Sequence, residues 1–294
     1  MKGTSLKSEY LLKLRMAIEQ GCRDKYTKVT NELKKGVIPD KLYRYTPLTL
    51  YTVENLSNKR FYLNKPSSFN DPFDSHYMGD ASWSSLTSLL GFNAKNTDMY
   101  ERFNNVMNKG FKSMNFGEFS GIKDSTGIVC FTENNPENII MWSHYAFYHK
   151  GICFEYNFSQ SNEEIFTYLL PVIYNNDLLF KGTKSRDPRV TLYFDIIQTC
   201  IVKSKEWEYE NEWRIVNPNC CIEKDFYLAS INPTHIYVGL NSGIQGAEEK
   251  KYDFLKRIKH LDKVKEYAGK HKIPIYQMKR CDSKFKLEPE IISC

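Results

Sequence analysis

No apolar run in this 294-residue chain approaches the length of a membrane-spanning helix. The opening stretch MKGTSLKSEYLLKLRMAIEQ has no signal-peptide core. These absences argue against a membrane span or a secretory route, and the expectation is a cytoplasmic protein. The eight cysteines include no CxxC pair of the metal-binding kind. Cys130 and Cys153 fall inside strand-like apolar runs, so free thiols are expected rather than disulfides. There are no internal repeats and no low-complexity linker. The glycines at 239, 243 and 246 match neither the P-loop nor the dinucleotide fingerprint, although they lie between a strand and a helix start where an anion could sit.

Two further constellations lack the spacing that chemistry needs. Ser143 and His144 are adjacent, so on a helix they point about a hundred degrees apart and form no nucleophile–base pair. His144 and His149 are five apart, whereas zinc ligands on one helical face prefer a spacing of about four. No metal site is expected there.

What is present begins with aromatics. Twenty Tyr and eighteen Phe are high for a chain of ordinary hydrophobic content, so rings with polar tips must either fill a core or line a site. The formal charge of +6 is local: residues 245–280 hold eleven Lys/Arg against five Asp/Glu, a surplus equal to the whole excess. A helix over 250–272 would carry it. Such a helix is more often a solvated face than a nucleic-acid contact, yet it is the best candidate here for one.

The window Gly127–Asn157, GIVCFTENNPENIIMWSHYAFYHKGICFEYN, reads as strand, turn, helix, strand. Ile128–Thr132 suits a strand buried on both faces. Asn135 is the expected N-cap, Pro136 the first helical position, and Glu137 the favoured acid of the first turn. The helix is expected to run through Ile140, Trp142, Tyr145, Ala146 and His149 and to end at Lys150-Gly151.

Around this window, Ser5–Leu33 reads as a helical appendage, giving a boundary of 1–36 before a single domain over 37–294. Lys41–Thr46 and Arg60–Leu63 alternate as strands, with a short helix near Val53–Leu56 between them. Ala81–Gly117 is helical and polar, and Asp187–Ile201 is a second helix. Strands are expected at 170–174, 208–216, 235–240, 273–278 and 285–287, with Leu255, Ile258, Leu261 and Val264 turned inward on the basic helix. The irregular interleaving predicts an α+β fold with a mixed, mainly antiparallel sheet and flanking helices.

The loop Pro66–Asp74, PSSFNDPFD, presents Asn70 and Asp71 between Phe69 and Phe73, which need burial. It reads as a functional loop or as a turn capped by Asn70 and Asp71, and residue type alone favours the turn. In the strand 208–216, Glu208, Glu210, Glu212 and Arg214 share a face. Acids so placed repel unless a cation or a hydroxyl-rich ligand satisfies them; the plainer account is an exposed face with a Glu–Arg pair of little worth.

Together YRYT at 43–46, PSSFNDPFD at 66–74, CFTE at 130–133, MWSHYAFYHKGICFEY at 141–156 and WEYENEWRIV at 207–216 resemble one family, the bacterial domain of unknown function 2971. The resemblance runs from about Leu42 to Met278. The chain is more distantly similar to ADP-ribosyltransferases, above all the DarT-type DNA-modifying toxins. That resemblance implies an ADP-ribosyltransferase-like fold, NAD as substrate, Glu212 as the best match for the catalytic carboxylate with Glu210 as its competitor, and a setting in phage defence or a toxin system. It places Arg44, the strand Cys130–Thr132 and the helix Met141–Tyr145 at the pocket, with Thr132 alone near the place of that family's Ser-Thr-Ser strand; with the residues singled out above, the expected binding set is Arg44, Asn70, Asp71, Thr132, Trp142, Tyr145 and Arg214. Two other functions stay open at this point. One is a non-catalytic nucleotide or nucleic-acid binding or sensor module; the other is a metal-dependent nuclease using Asp71, Asp74 and the glutamates.

If the thiols are free, titration of freshly purified protein under denaturing, non-reducing conditions returns all eight. A recovery short by even one pair overturns that expectation.

Overall fold

A computed structural model describes residues 38–75, 126–158, 165, 168–175, 197, 199–217 and 226–293. The expected appendage over 1–36, the helix over 81–117 and most of the helix over 187–201 lie outside the described residues.

Twelve strands and three helices are taken here in chain order. They are β1 (Leu42–Thr46), α1 (Leu50–Ser57), β2 (Arg60–Tyr62), β3 (Gly127–Thr132), α2 (Ile139–Tyr145), β4 (Ile152–Tyr156), β5 (Leu169–Pro171) and β6 (Ile173–Asn175). There follow β7 (Val202–Ser204), β8 (Glu212–Asn217), β9 (Tyr227–Ala229), β10 (His235–Val238), α3 (Lys251–His271), β11 (Ile275–Arg280) and β12 (Leu287–Ser293). Eight strands form one sheet in the order β12-β11-β10-β4-β1-β3-β8-β5. Its neighbours run antiparallel except β10 and β11, which are parallel. Separate pairs are the antiparallel β2–β9 and the parallel β6–β7. The sheet is therefore mixed and mainly antiparallel, flanked by helices, as the sequence predicts.

Period-two patterning explains both faces of this sheet. Leu42, Val129, Phe131, Phe154, Trp213, Ile215 and Ile236 point to one side, where α1, α3 and the β2–β9 ribbon cover them with Val53, Leu56, Phe61, Leu228, Leu261 and Val264. Tyr43, Tyr45, Cys153, Tyr237 and Met278 point to the other, against Met141, Trp142 and Ala146 at α2. Phe61, Phe131, Tyr156 and Phe158 meet edge-on or tilted at 5.0–6.5 Å, the arrangement that ring quadrupoles favour.

The aromatic helix is shorter than its sequence pattern. Asn138, not Asn135, is the N-cap, and its Oδ1 accepts from the amides of Ile140 and Met141 at 3.0 and 3.2 Å. Asn135 caps only a turn, accepting from Glu137 N. The helix stops at Tyr145, since Phe147, Tyr148 and His149 all take positive φ, 47°, 55° and 64°. This left-handed turn brings Gly151 N to Ala146 O at 2.7 Å and His149 N to Trp142 O at 3.2 Å, closing the carbonyls that the helix leaves open. A Cβ at Gly151 would lie 2.4 Å from Thr46 O, and one at Gly239 2.3 Å from His149 O. Backbone packs on backbone here, which only glycine allows.

Three other expectations shift. Residues 205–210 form a 3-10 turn, and the strand starts only at Glu212 because Asn211 takes a left-handed conformation (φ 45°) that breaks the extended run. On α3, Leu255 is 47% exposed while Arg257 is buried, its guanidinium serving the preceding loop instead of solvent. Phe73 is 60% exposed, so it does not anchor the loop at 66–74. Among the described residues no helix is long and apolar enough to cross a membrane.

Trp142 has no exposed surface, meets Tyr45 edge-on at 5.1 Å, and donates its Nε1–H to Pro136 O at 2.7 Å. Trp142→Ala is expected to destabilise the protein by about 3–5 kcal/mol, read as a lower midpoint in chemical denaturation. An unchanged midpoint would show that α2 is dispensable to the core.

Candidate functional site

The sheet opens between β1 and β3. Those neighbours share one paired position, Tyr43 with Thr132, whereas β1 pairs with β4 at five positions and β3 with β8 at six. The divergence leaves a cleft of about 560 Å³. Its walls are β1, β2, β3 and the start of β8, with α1, Tyr145 of α2, the loop carrying Phe69 and Asn70, and Lys203 of β7.

One wall is cationic. Arg44 reaches across the opening to donate Nη1–H to Cys130 O at 3.1 Å, and its guanidinium lies 5.9 Å from the Phe131 ring centre. Burial lowers its pKa, with only Tyr156 and Cys130 acting against that. No carboxylate among the described residues pairs with it. Arg60 also lines the cleft, fixed by Asn55 Oδ1 at 3.3 Å and by the Tyr227 ring at 3.8 Å.

The opposite wall is a buried cluster of three acids and two cations. Arg214 has no exposed side-chain surface and spends its donors on both oxygens of Asp74 (2.7 and 2.6 Å), both of Glu212 (2.8 and 2.9 Å) and Cys200 O. Lys203 Nζ lies 2.6 Å from Glu210 Oε2, 3.1 Å from Glu212 Oε2 and 3.7 Å from Asp74 Oδ2. Tyr145 donates its hydroxyl to Glu210 Oε1.

This arrangement sorts the two glutamates. Burial would raise the Glu212 pKa, but Arg214 and Lys203 overcome it and hold the group down at about 2. For Glu210, burial outweighs Lys203 and, with Glu212 close by, the pKa is raised above the ordinary value. Three carboxylates face two cations, and Glu210 carries the unbalanced charge. Burial and then Glu210 raise the Tyr145 pKa, so Tyr145 keeps its proton.

The position of Glu210 is set by backbone stitching. Thr132 Oγ1 donates to Glu210 O at 2.5 Å and accepts from Asn134 N at 2.9 Å. Asn134 in turn donates Nδ2–H to Tyr209 O and Glu210 O. Asn211 closes the turn by donating to Asn134 Oδ1 at 3.1 Å.

Of the residues expected at a site, Arg44, Asn70, Thr132, Tyr145, Glu210, Glu212 and Arg214 line one cleft. Two do not. Trp142 is wholly buried on the inner face of α2, and Asp71 accepts from Phe73 N at 2.9 Å as a turn cap, outside the lining. The expected exposed Glu–Arg face is a fully buried one, because β8 lies inside the sheet, and Glu208 stays in solvent on the 3-10 turn. Lys203 is not among the residues the sequence singles out, because one of two lysines in VKSKEW offers no local signal that sets it apart. Asp74 was noted there only as a possible metal ligand.

Elsewhere, the Gly239–Gly246 loop carries its own anion: Gly246 N donates to Glu249 Oε2 at 3.0 Å, and Arg257 binds both Glu249 oxygens and the carbonyls of Ser242 and Ile244. Ser143 Oγ meets His149 Nε2 at 3.0 Å, brought back by the left-handed turn, but donates to Ile139 O and lies outside the cleft lining. The exposed lysines of α3 alternate with exposed Asp253, Asp262 and Glu266. Among the described residues no group of three or more His, Cys, Asp or Glu is arranged to hold a metal ion.

Residues 141–215, from α2 through the start of β8, match the family model of the protein of unknown function (DUF2971). That bears out the family resemblance over those residues, which hold the motif at 141–156 and nearly all of that at 207–216. No curated protein and no solved structure matches the chain.

Glu212 contributes stability through a depressed pKa. That contribution is present above its ordinary value of 4.5 and is lost as pH falls towards about 2. Glu212→Gln should therefore cost roughly 3–5 kcal/mol near neutrality, as breaking a buried ion pair does. The gap to the parent should narrow when denaturation is repeated at about pH 3. A gap that is the same at both pH values would show that the pair is not ionised.

Proposed function

We propose that the cleft binds a phosphorylated dinucleotide of the NAD class and that the protein is an ADP-ribosyltransferase-like enzyme. The observation that carries this reading is Arg44 on the cleft wall, with which no carboxylate among the described residues pairs. Held by the Cys130 carbonyl and the Phe131 ring, this half-buried guanidinium stands where an anion entering the cleft would pair with it. A pyrophosphate fits that place, and Arg60 stands on the same cleft to share it. Across the opening, the Glu210 cluster holds one formal negative charge in excess, the polarity that suits a ribose centre gaining positive charge.

Cleavage of a nicotinamide–ribose bond develops oxocarbenium character, which a fixed carboxylate stabilises while accepting from a ribose hydroxyl. Glu210 suits that role better than Glu212. Both oxygens of Glu212 are taken by Arg214, one of them by Lys203 as well, whereas Glu210 is held by one hydroxyl and one shared ammonium. The Tyr145 ring and hydroxyl border the same point and would help to place the sugar and base.

The test compares Arg44→Gln, Glu210→Gln and Glu212→Gln in NAD binding, followed by thermal shift, and in NAD turnover. Arg44→Gln should abolish the stabilisation that NAD confers on the parent. Glu210→Gln should keep binding but slow turnover by about 10²–10³-fold, since its charge matters chiefly in the transition state. Full turnover in the Glu210 variant would dispose of the assignment. An NAD-induced shift without turnover by the parent would identify a binding module, and no shift at all would reject the dinucleotide.

A further inference from the structure

β6 and β7 form a two-stranded ribbon apart from the main sheet, pairing Ile173, Tyr174 and Asn175 with Val202, Lys203 and Ser204. Its contribution to the cleft is chemical. Tyr174 gives its hydroxyl oxygen to the amide of Glu212 at 2.8 Å, and Lys203 gives its ammonium to the acids. The aliphatic stem of Lys203 is buried, leaving the side chain 6% exposed, and the ammonium sits 4.8 Å from the Trp207 ring centre. Burial would lower its pKa, yet Glu212, Glu210 and Asp74 together raise it, so it stays charged.

Arg214 cannot serve Glu210, because its donors are all directed at Asp74, Glu212 and Cys200 O. Lys203 is then the one cation touching Glu210 among the described residues. The remaining groups that face Glu210 do not favour its charge as a cation does. Tyr145 from α2 donates one hydrogen bond, Tyr209 adjoins it on the turn, and Glu212 and Asp74 repel it.

We propose that Lys203 is a positioning residue that keeps Glu210 ionised and aimed into the cleft, so that the separate β6–β7 ribbon sets the charge state of the reactive carboxylate. Without Lys203, a buried glutamate beside two other acids takes up a proton at neutral pH. The link from Lys203 to activity rests on the enzymatic reading above; the link to the charge of Glu210 does not.

Infrared spectroscopy of the ligand-free protein reads that charge directly. At neutral pH, Lys203→Met should show the carbonyl stretch of a protonated carboxylic acid. The parent, Lys203→Arg and the double variant Lys203→Met with Glu210→Gln should lack it. A folded Lys203→Met whose spectrum equals the parent's overturns the proposal. If Lys203→Met does not fold at neutral pH, protonation of Glu210 should restore it on acidification to about pH 5; failure to fold at every pH also overturns it. In turnover assays, the acid limb of the pH profile should move up by about one unit or more in Lys203→Met and return with Lys203→Arg. The infrared band without any NAD turnover by the parent would sustain the role of Lys203 while rejecting the dinucleotide chemistry.

Discussion

A guanidinium with no solvent contact dictates how this cleft is built. Arg214 sits on β8 with its side chain fully enclosed, and charge removed from water is tolerable only where every donor finds an acceptor. Its partners come from three separate parts of the chain: Asp74 from the loop after β2, Cys200 O from the segment before β7, and Glu212 on its own strand. Each of those segments is thereby pinned to the same point. Phe69, whose ring lies 5.4 Å from the guanidinium, and exposed Asn70 are carried to the cleft by that Asp74 latch. The exposed ring of Phe73 does not anchor the loop, although its amide takes part in the Asp71 turn.

The same constraint explains why the acids of the cleft are unequal. Arg214 saturates Asp74 and Glu212, and Lys203 must be shared. Glu210 receives what is left, at the end of a 3-10 turn whose backbone is fixed by Thr132 and Asn134. A carboxylate held in place but incompletely neutralised can respond to charge developing in a ligand; one clamped by a bidentate arginine cannot. Across the opening Arg44 has no carboxylate partner among the described residues. Among the described residues the two walls thus carry opposite charge in excess, and they stand apart because β1 and β3 pair at one position and then diverge.

Much of the fold was legible in the sequence. Alternation in Lys41–Thr46 and the apolar run Ile128–Thr132 located β1 and β3, since a pleated strand shows its two faces directly in residue order. The family resemblance, drawn from motif order, drew Arg44, Asn70, Thr132, Tyr145, Glu210, Glu212 and Arg214 together before any of them could be placed in space. Local signals failed where two of them competed. Asn135 and Asn138 both cap a turn, and residue type alone does not show that the Asn138 carboxamide takes the first helical amides, of Ile140 and Met141, while Asn135 takes that of Glu137. The alternation of Glu208 through Arg214 read as a strand because a period-two pattern cannot show that Asn211 has turned left-handed.

By itself, then, the sequence determined which residues alternate, where most strands lie and which chemical groups are available, because these depend on neighbours a few positions apart. Tertiary structure decided the charge state of each group and which groups meet. Trp142 and Asp71 belong to the same motifs as the cleft residues, yet burial takes one into the core and a turn takes the other out of the lining. Lys203 has no motif at all, and it matters because a parallel pairing with β6 delivers its ammonium to three acids distant in the chain or set on another element. Electrostatic energy depends on distance and on exclusion of water, and neither is written in the order of the residues.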